Sequence, residues 1–481
     1  MLVFRIPENL DIKKIIKKSG IDFYGQNLKE DKLLYICDAL VKSRAQNRKQ
    51  LLEEGHRFAP LSSAFLQEVI HDYRRYLDFL LANGVLLTDN RFIRGEKCKG
   101  YCFNYPYAGK RLKEIAISNY TLNKAVRRAR EKRNKEIKKS MRGYGYLSIW
   151  WHTDKLKIDL QAAYAWISNY KIEKTRLIYE DDSIVHKNVE IEEVIDTAED
   201  FKLLVWSINY RNPRYGFSGL GHRFYNPICN LKRELRSFLT YDGLPLVDID
   251  LKNSQPFLST ALLQNSFWAI PIKGDVPKLS LKYLNEDIFK EVVESRYYKD
   301  IITLRKTSKT HTDKASKYTK YTKYTDLVVN GRLYEYIQEH FQSLHPDRFN
   351  TRDIVKVEVL RIFYMENKYT NQKFYLPCKT FQSHFPEVYE LFRLIKEVQS
   401  NYLAIILQRV ESFLILDVVC KAISSQYPQI PIFTIHDNII TTKGNEGIVE
   451  AVMSQEIEKW IGHKPKLSTT ELSPEILKTE I

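Results

Sequence analysis

The chain has 481 residues, 44% of them apolar and 12% aromatic, which excludes a disordered protein and leaves room for about three domains at roughly 150 residues each. Its 75 Lys+Arg against 59 Asp+Glu give a formal charge of +16, so an anionic partner such as nucleic acid is expected. No apolar run approaches the ~18–20 residues of a membrane span, and Lys13, Lys14, Lys17 and Lys18 interrupt any signal-peptide core.

Residues 1–60 read as charged helices. From Ser62 the apolar positions Phe65, Leu66, Val69, Ile70, Tyr73, Tyr76, Leu77 and Leu80 recur at helical spacing, and Asn83-Gly84 stops the helix. The run Val85-Leu86-Leu87, then Phe92-Ile93-Arg94 and Tyr101-Cys102-Phe103, predict strands around a basic loop, Gly95 to Gly100, that carries Lys97 and Lys99. Helix, strand, basic loop and strand over 61–110 suit a winged-helix-like DNA-binding module, or any small α+β subdomain.

Residues 111–200 begin with the densest charge, in which Arg127, Arg128, Arg130, Lys132, Arg133, Lys135, Lys138, Lys139 and Arg142 face only Glu131 and Glu136. Such a run is a solvated helix face or a grip on a phosphate backbone. Trp150, Trp151, Tyr164 and Trp166 follow as expected core. Six cysteines are scattered, and the C-x3-C of Cys98 and Cys102 has no second pair, so zinc is not expected and a reducing cytoplasm is. The Lys/Thr/Tyr-rich stretch Thr303 to Thr325 lacks aliphatics after Leu304 and reads as a mobile basic loop.

Three segments concentrate the chemistry. In Leu246-Val247-Asp248-Ile249-Asp250-Leu251, an apolar strand ends in a carboxylate before a polar turn and a helix opened by Pro256. In Ile432 to Thr441, two apolar runs flank Asp437-Asn438, which suit a hairpin turn. Two acids placed where strands leave a core could together hold two Mg²⁺ ions about 3.5–4 Å apart for phosphoryl transfer. Between these segments, Arg352, Lys356, Leu360 and Tyr364 lie at i,i+4 steps of a helix over 352–364. Two cations, an apolar side chain and an aromatic would meet a triphosphate, a sugar and a base; the bland alternative is an ordinary amphipathic helix.

In order and spacing, these segments resemble motifs A, B and C of the family A DNA polymerases and their relatives, the single-subunit phage RNA polymerases. Asp250, or alternatively Asp248, matches motif A; Arg352, Lys356 and Tyr364 match motif B; His436-Asp437 match motif C. Arg223 before Asn230-Leu231, Arg236, and Gln408 with Glu411-Ser412 resemble further elements of the family. The resemblance covers about 201–481 and implies an α+β right-hand palm with fingers inserted at about 290–400. Residues 111–200 would be a thumb-like region, preceded by the winged-helix-like module.

It further implies that Asp250 and Asp437 bind two Mg²⁺, with Mn²⁺ a substitute, while Lys356 and Arg352 hold the β- and γ-phosphates. Tyr364, Leu360 and Gln255 would surround the nucleotide. Arg223, Asn230, Arg236, Gln408 and His436 would meet the primer–template; apart from the resemblance, Lys97 and Lys99 of the basic loop and Arg127 and Arg128 of the charge run are further candidate nucleic-acid contacts. The chain departs from the family at Gln255, where its DNA polymerases carry Glu, at Leu360 for Phe or Tyr, at Met365 for Gly, and at Asn438 for an acid. The sugar preference therefore stays open. No Asp-x-Glu occurs in the sequence, so a proofreading exonuclease is not expected. The expected function is a DNA polymerase of a plasmid or phage, acting on primer–template and nucleoside triphosphates, with replication accessory proteins as further candidate partners. An RNA polymerase or primase on the same palm, and a non-catalytic replication initiator, are the alternatives.

Overall fold

The protein is described from a computed structural model over residues 2–19, 28–53, 55–93, 98–181, 184, 186–210, 215–269, 279–307, 322–343, 345, 347–370 and 375–475. It is a mixed helix-and-strand fold with two hydrophobic cores that meet at a central antiparallel sheet.

The first segment is not wholly helical. Strand β1 (Leu2–Pro7) buries Phe4 and Ile6 and pairs antiparallel with a strand over a hundred residues later. Helix α1 (Glu30–Glu53) follows and buries Leu33, Leu34, Ile36, Cys37, Leu40 and Val41. A residue buried on so many sides of a helix marks a central element, not a charged surface one. The helix expected from Ser62 is two helices. Ser63–Gln67 is capped by the Ser62 side chain, and α2 (Tyr73–Ala82) begins after a break that lets both Ile70 and Tyr73 bury. The stop at Asn83-Gly84 is as expected: Gly84 takes φ +64, and Val85 N–H reaches back to Leu80 O at 2.9 Å.

Strand β2 (Ala59–Pro60), β3 (Leu86–Thr88) and β4 (Gly100–Phe103) form a small sheet in the order β2-β4-β3. Lys97 lies outside the described residues; Lys99 is exposed and donates to Asn90 Oδ1 at 3.1 Å. Strand β5 (Leu112–Ile117), the partner of β1, leads into α3 (Tyr120–Ser140), whose start is capped by Asn119 accepting from Leu122 N–H. This is the basic run. It buries one stripe, Leu122, Val126 and Ala129, and leaves Arg127 and Arg128 exposed.

Strand β6 (Leu156–Ile158) joins the central sheet; the long helices α4 (Leu160–Glu180) and α5 (Lys187–Asn209) pack on each other, and α5 packs against α1. Their junction is ionic: Arg44 Nε lies 3.0 Å from Asp200 Oδ1 and Arg44 Nη1 2.7 Å from Asp196, while Arg48 Nε reaches Asp200 at 2.7 Å. Asp200 is fully buried, and charges placed so deep persist only when paired. Trp150, Trp151, Tyr164 and Trp166 are half-buried at the margin of the core, not inside it, because their helices and turns run along its edge.

The central sheet is built on β7 (Leu239–Tyr241), β8 (Leu244–Leu251), β9 (Phe433–Ile435), β10 (Asn438–Thr442) and β11 (Leu467–Leu472), in the order β9-β10-β8-β7-β6 with β11 also paired to β8. Along β8 the two-residue period sends Ile249 and Leu251 into one core and Leu246 into the other. Asp248 and Asp250 share the parity of Leu246 and so stand on one face. Helix α6 (Ser254–Leu262) starts at once, behind Asn253 in the left-handed region at φ 54.

The Lys/Thr/Tyr stretch differs from a plain loop at both ends. Thr303–Thr307 closes the helix Tyr298–Thr307, and Thr322 opens the helix Thr322–Val329; residues 308–321 are outside the described set. Tyr324 is 0% exposed, bonded to Ser259 Oγ at 2.9 Å and set edge-on to Phe385. Tyrosine supplies apolar mass that a count of aliphatics overlooks. Among the described residues no helix is long and apolar enough to cross a membrane.

Candidate active site

The site is built where β8 passes the β9–β10 hairpin. Ile435 pairs with Asn438, so the turn residues are His436-Asp437, and the positive φ falls on His436 at 55°. The turn expected at Asp437-Asn438 is thus displaced by one residue. The register explains why: Asn438 belongs to β10, and its Nδ2 donates to both oxygens of Asp248, at 2.9 and 3.1 Å. Asp437 is left at the hairpin tip, facing the end of β8.

Burial, then the neighbouring charges of Asp437 and Asp248, push the Asp250 carboxyl up to about 6, while Lys356 and Arg233 pull the other way. The charges of Asp437 and Asp248 thus both act on Asp250, and the three acids are not equivalent. Asp248 is satisfied by Asn438, whereas no hydrogen bond of the described residues occupies Asp250. Burial pushes Asp248 up as well, and Asn438 opposes it. Arg236 stands near Asp248; burial pushes its guanidinium below the usual arginine range, Asp248 opposes that, and its Nε donates to Leu231 O at 3.2 Å.

The central helix α7 (Arg352–Tyr364) has the expected bounds, with Thr351 as N-cap accepting from Ile354 N–H. Val355, Glu358, Val359, Ile362 and Phe363 are buried, which leaves the stripe Arg352, Lys356, Leu360 and Tyr364 toward the site. Lys356 is exposed and close enough to act on Asp250. Arg352 is already engaged: Nε donates to Glu335 Oε1 at 2.7 Å, Nη2 to Asn253 Oδ1 at 2.9 Å, and the guanidinium lies 5.0 Å over Tyr334.

The far end of α7 is held from helix α8 (Pro386–Val398), where buried Lys396 donates to Ile362 O at 3.1 Å and Met365 O at 3.0 Å. Burial pushes this amine down to about 8. These carbonyls end a helix and have no intrahelical partner, so a cation there is favoured. Lys396→Met is expected to lower the unfolding free energy by about 1–3 kcal/mol and to speed amide exchange in the last turn of α7. Unchanged exchange there would show that the clamp is dispensable.

A second network crosses the floor of the site. Helix α9 (Tyr402–Ser412) presents Glu411, 1% exposed, and Arg223 meets it with both Nε and Nη2 at 2.8 Å. Gln255 Nε2 donates to Glu411 Oε2 at 2.7 Å, and Tyr364 Oη donates to Gln255 Oε1 at 2.7 Å. Motif residues far apart in sequence are thereby tied into one chain, Arg223–Glu411–Gln255–Tyr364. Burial raises the Glu411 carboxyl to about 7 despite Arg223.

Gln408, one turn before Glu411, packs on Gly221, where an added Cβ would lie 2.3 Å from its Oε1. His436 is set edge-on to Tyr225 at 5.4 Å, and burial with the nearby cations Arg223, Lys49 and Arg236 pushes its imidazole down to about 4, so it is neutral at pH 7. Asn230 is not brought to this site. It lines a separate cleft with Arg5, Trp206 and Tyr210, and Asn226 instead ties its loop to the hairpin, donating to Thr434 O at 2.7 Å. Lys396 carries contacts that the motif pattern does not single out, and the pattern names Glu411 and Asn438 without their partners Arg223, Gln255 and Asp248. The signal for Glu411 was an acid inside an apolar helix, three residues after Gln408 and so on the same face.

No family model matches the sequence, and no curated protein matches it. Among solved structures, the chain is similar to the POL domain of Pol1 from M. smegmatis in complex with DNA primer-template and dNTP. That likeness covers 73% of this chain and 72% of that one at 9% sequence identity, with a TM-score of 0.34. A likeness at this level leaves the functional reading to the residues themselves.

Proposed function

We propose that the protein is a template-directed nucleotidyltransferase that extends a primer on DNA, a DNA polymerase of a plasmid or phage without a proofreading centre. The observation that carries the reading is the approach of Asp437, at a hairpin tip, to Asp250, at the end of the neighbouring strand, with Lys356 in electrostatic reach of the pair. Among the described residues no three or more His, Cys, Asp or Glu gather as a complete metal cage. A pair of hard carboxylate oxygens nevertheless fits Mg²⁺, which takes one or two carboxylates and completes its shell with substrate phosphates and water.

Asp250 and Asp437 would hold the divalent ions, which when bound neutralise phosphate charge and make the primer 3′-hydroxyl a better nucleophile. Lys356, exposed on α7, binds the β- and γ-phosphates and stands where it can donate a proton to the departing pyrophosphate. Arg352 keeps α7 registered on Asn253 and adds positive charge at the triphosphate. Tyr364 offers a ring to the incoming base while its hydroxyl fixes the Gln255 amide. Neutral His436 supports the primer end without adding charge.

Primer extension on a single-stranded DNA template with Mg²⁺, with dNTPs and rNTPs in parallel, tests the reading. Extension with dNTPs, with no shortening of the primer when nucleotides are omitted, is expected. Extension only with rNTPs moves the protein to the RNA polymerase or primase class, and no extension with either rejects a nucleotidyltransferase acting alone.

A further inference from the structure

Away from the acids, a cleft of about 470 Å³ opens in the N-terminal body between β1, α1 and the end of α5. At the end of α5, Trp206 and Tyr210 stand four residues apart, so their rings meet on one helix face. The rings stack with centroids 4.2 Å apart and 18° between planes, and the Arg5 guanidinium lies 4.0 Å over Trp206. Tyr210 is 56% exposed, although an aromatic pair of this size is usually spent inside a core.

A second cleft of about 190 Å³ shares Lys42, Gln46 and Arg130 with the first and continues to Phe65, over which Arg133 sits at 4.6 Å. Arg130 and Arg133 belong to the basic helix α3. The opposing acids are Glu114, 2.6 Å from Arg5, and Asp38, which Lys42 meets; neither reaches Arg130 or Arg133 in a described ion pair. Cations and aromatic platforms therefore alternate along one groove. Sequence-tolerant binding of single-stranded nucleic acid uses that combination, because every base has a π-face and every linkage a phosphate. An acidic or apolar peptide would match only half of it.

We infer that this groove binds single-stranded nucleic acid, with a base stacked on the Trp206–Tyr210 platform and backbone phosphates against Lys42, Arg130 and Arg133. It shares with the proposed function only the premise that nucleic acid is the partner. It adds a holding site for unpaired strand on the N-terminal body, apart from the acids.

The test is fluorescence anisotropy of the full chain with labelled oligothymidylate of about 20 nucleotides, in EDTA and without nucleotides, beside a blunt duplex of equal length. Tyr210→Ala is expected to weaken oligothymidylate binding about tenfold, whereas Tyr210→Phe stays within about twofold because the ring is kept. Arg130→Ala is expected to lessen the slope of log affinity against log salt by about 0.7, and duplex binding is unchanged by either variant. Wild-type affinity in Tyr210→Ala and Arg130→Ala, or an equal loss for duplex and single strand, overturns the groove. Should primer extension fail while Tyr210→Ala still loses oligothymidylate, the groove stands and the polymerase reading falls. Should extension succeed and the groove variants bind normally, the reverse holds.

Discussion

Asparagine at position 250 or 437 is expected to slow nucleotide incorporation by at least about a thousandfold and, at pH 7, to make the Asp250→Asn protein more stable. Both effects have one origin. Asp250 is held near Asp437 and Asp248 with its carboxyl raised to about 6 from the ordinary 3.8, so the folded state bears a penalty for ionising it. The penalty is absent below about pH 4, grows as the pH rises through the folded value, and is complete above it. Discounted for partial exposure, its removal is worth about 1–2 kcal/mol. The stability gain of Asp250→Asn should therefore vanish near pH 4. Strain of this kind is kept where an approaching cation will relieve it. Asp248→Asn is expected to behave differently, with at most about a tenfold loss, because Asn438 already satisfies that carboxylate. Full activity in Asp437→Asn, or a larger loss in Asp248→Asn than in Asp250→Asn, contradicts the assignment.

The second large effect concerns the floor of the site. Removing one partner of a buried ion pair costs about 3–5 kcal/mol because the other is left uncompensated. Arg223 and Glu411 differ in how each can escape that fate. In Arg223→Met, Glu411 can take up a proton, and its carboxyl is already raised to about 7. The cost of Arg223→Met should thus shrink as pH falls from about 8 to 5.5. In Glu411→Met the guanidinium cannot be discharged and Gln255 Nε2 loses its acceptor. The wild type itself, however, loses stability as pH rises through the raised Glu411 carboxyl, so this cost should instead be larger at about pH 5.5 than at about pH 8. The double substitution should cost less than the sum of the two by about 1–3 kcal/mol. Urea unfolding at both pH values measures all three; strict additivity would mean that the contact contributes nothing.

Much of this was legible before any coordinates. Strand β8, the polar turn after it, and helix α7 follow from local rules of period and turn chemistry, and the structure places them there, with the helix after the turn opening at Ser254, two residues before Pro256. The common face of Asp248 and Asp250 is a consequence of the two-residue period alone. What separates them is not local. Asp248 is satisfied by a side chain almost two hundred residues later, and only the register of β10 on β8 brings Asn438 there. The same register moved the hairpin turn by one residue. Glu411 was visible beside Gln408 in the motif pattern, but not its pairing, since its partners Arg223 and Gln255 come from different parts of the chain. Strand β1 was hidden for a similar reason: its partner β5 begins at Leu112, and no local pattern marks such a pairing.

The central claim is that Asp250 and Asp437 together form a metal-dependent nucleotidyl-transfer centre. Its most direct test is Mn²⁺ binding followed by electron paramagnetic resonance, with primer–template and a non-reactive dNTP analogue present. The account predicts two protein-dependent ions in the wild type and loss of at least one in both Asp250→Asn and Asp437→Asn, with Asp248→Asn unchanged. Equal Mn²⁺ binding by all four proteins would contradict it.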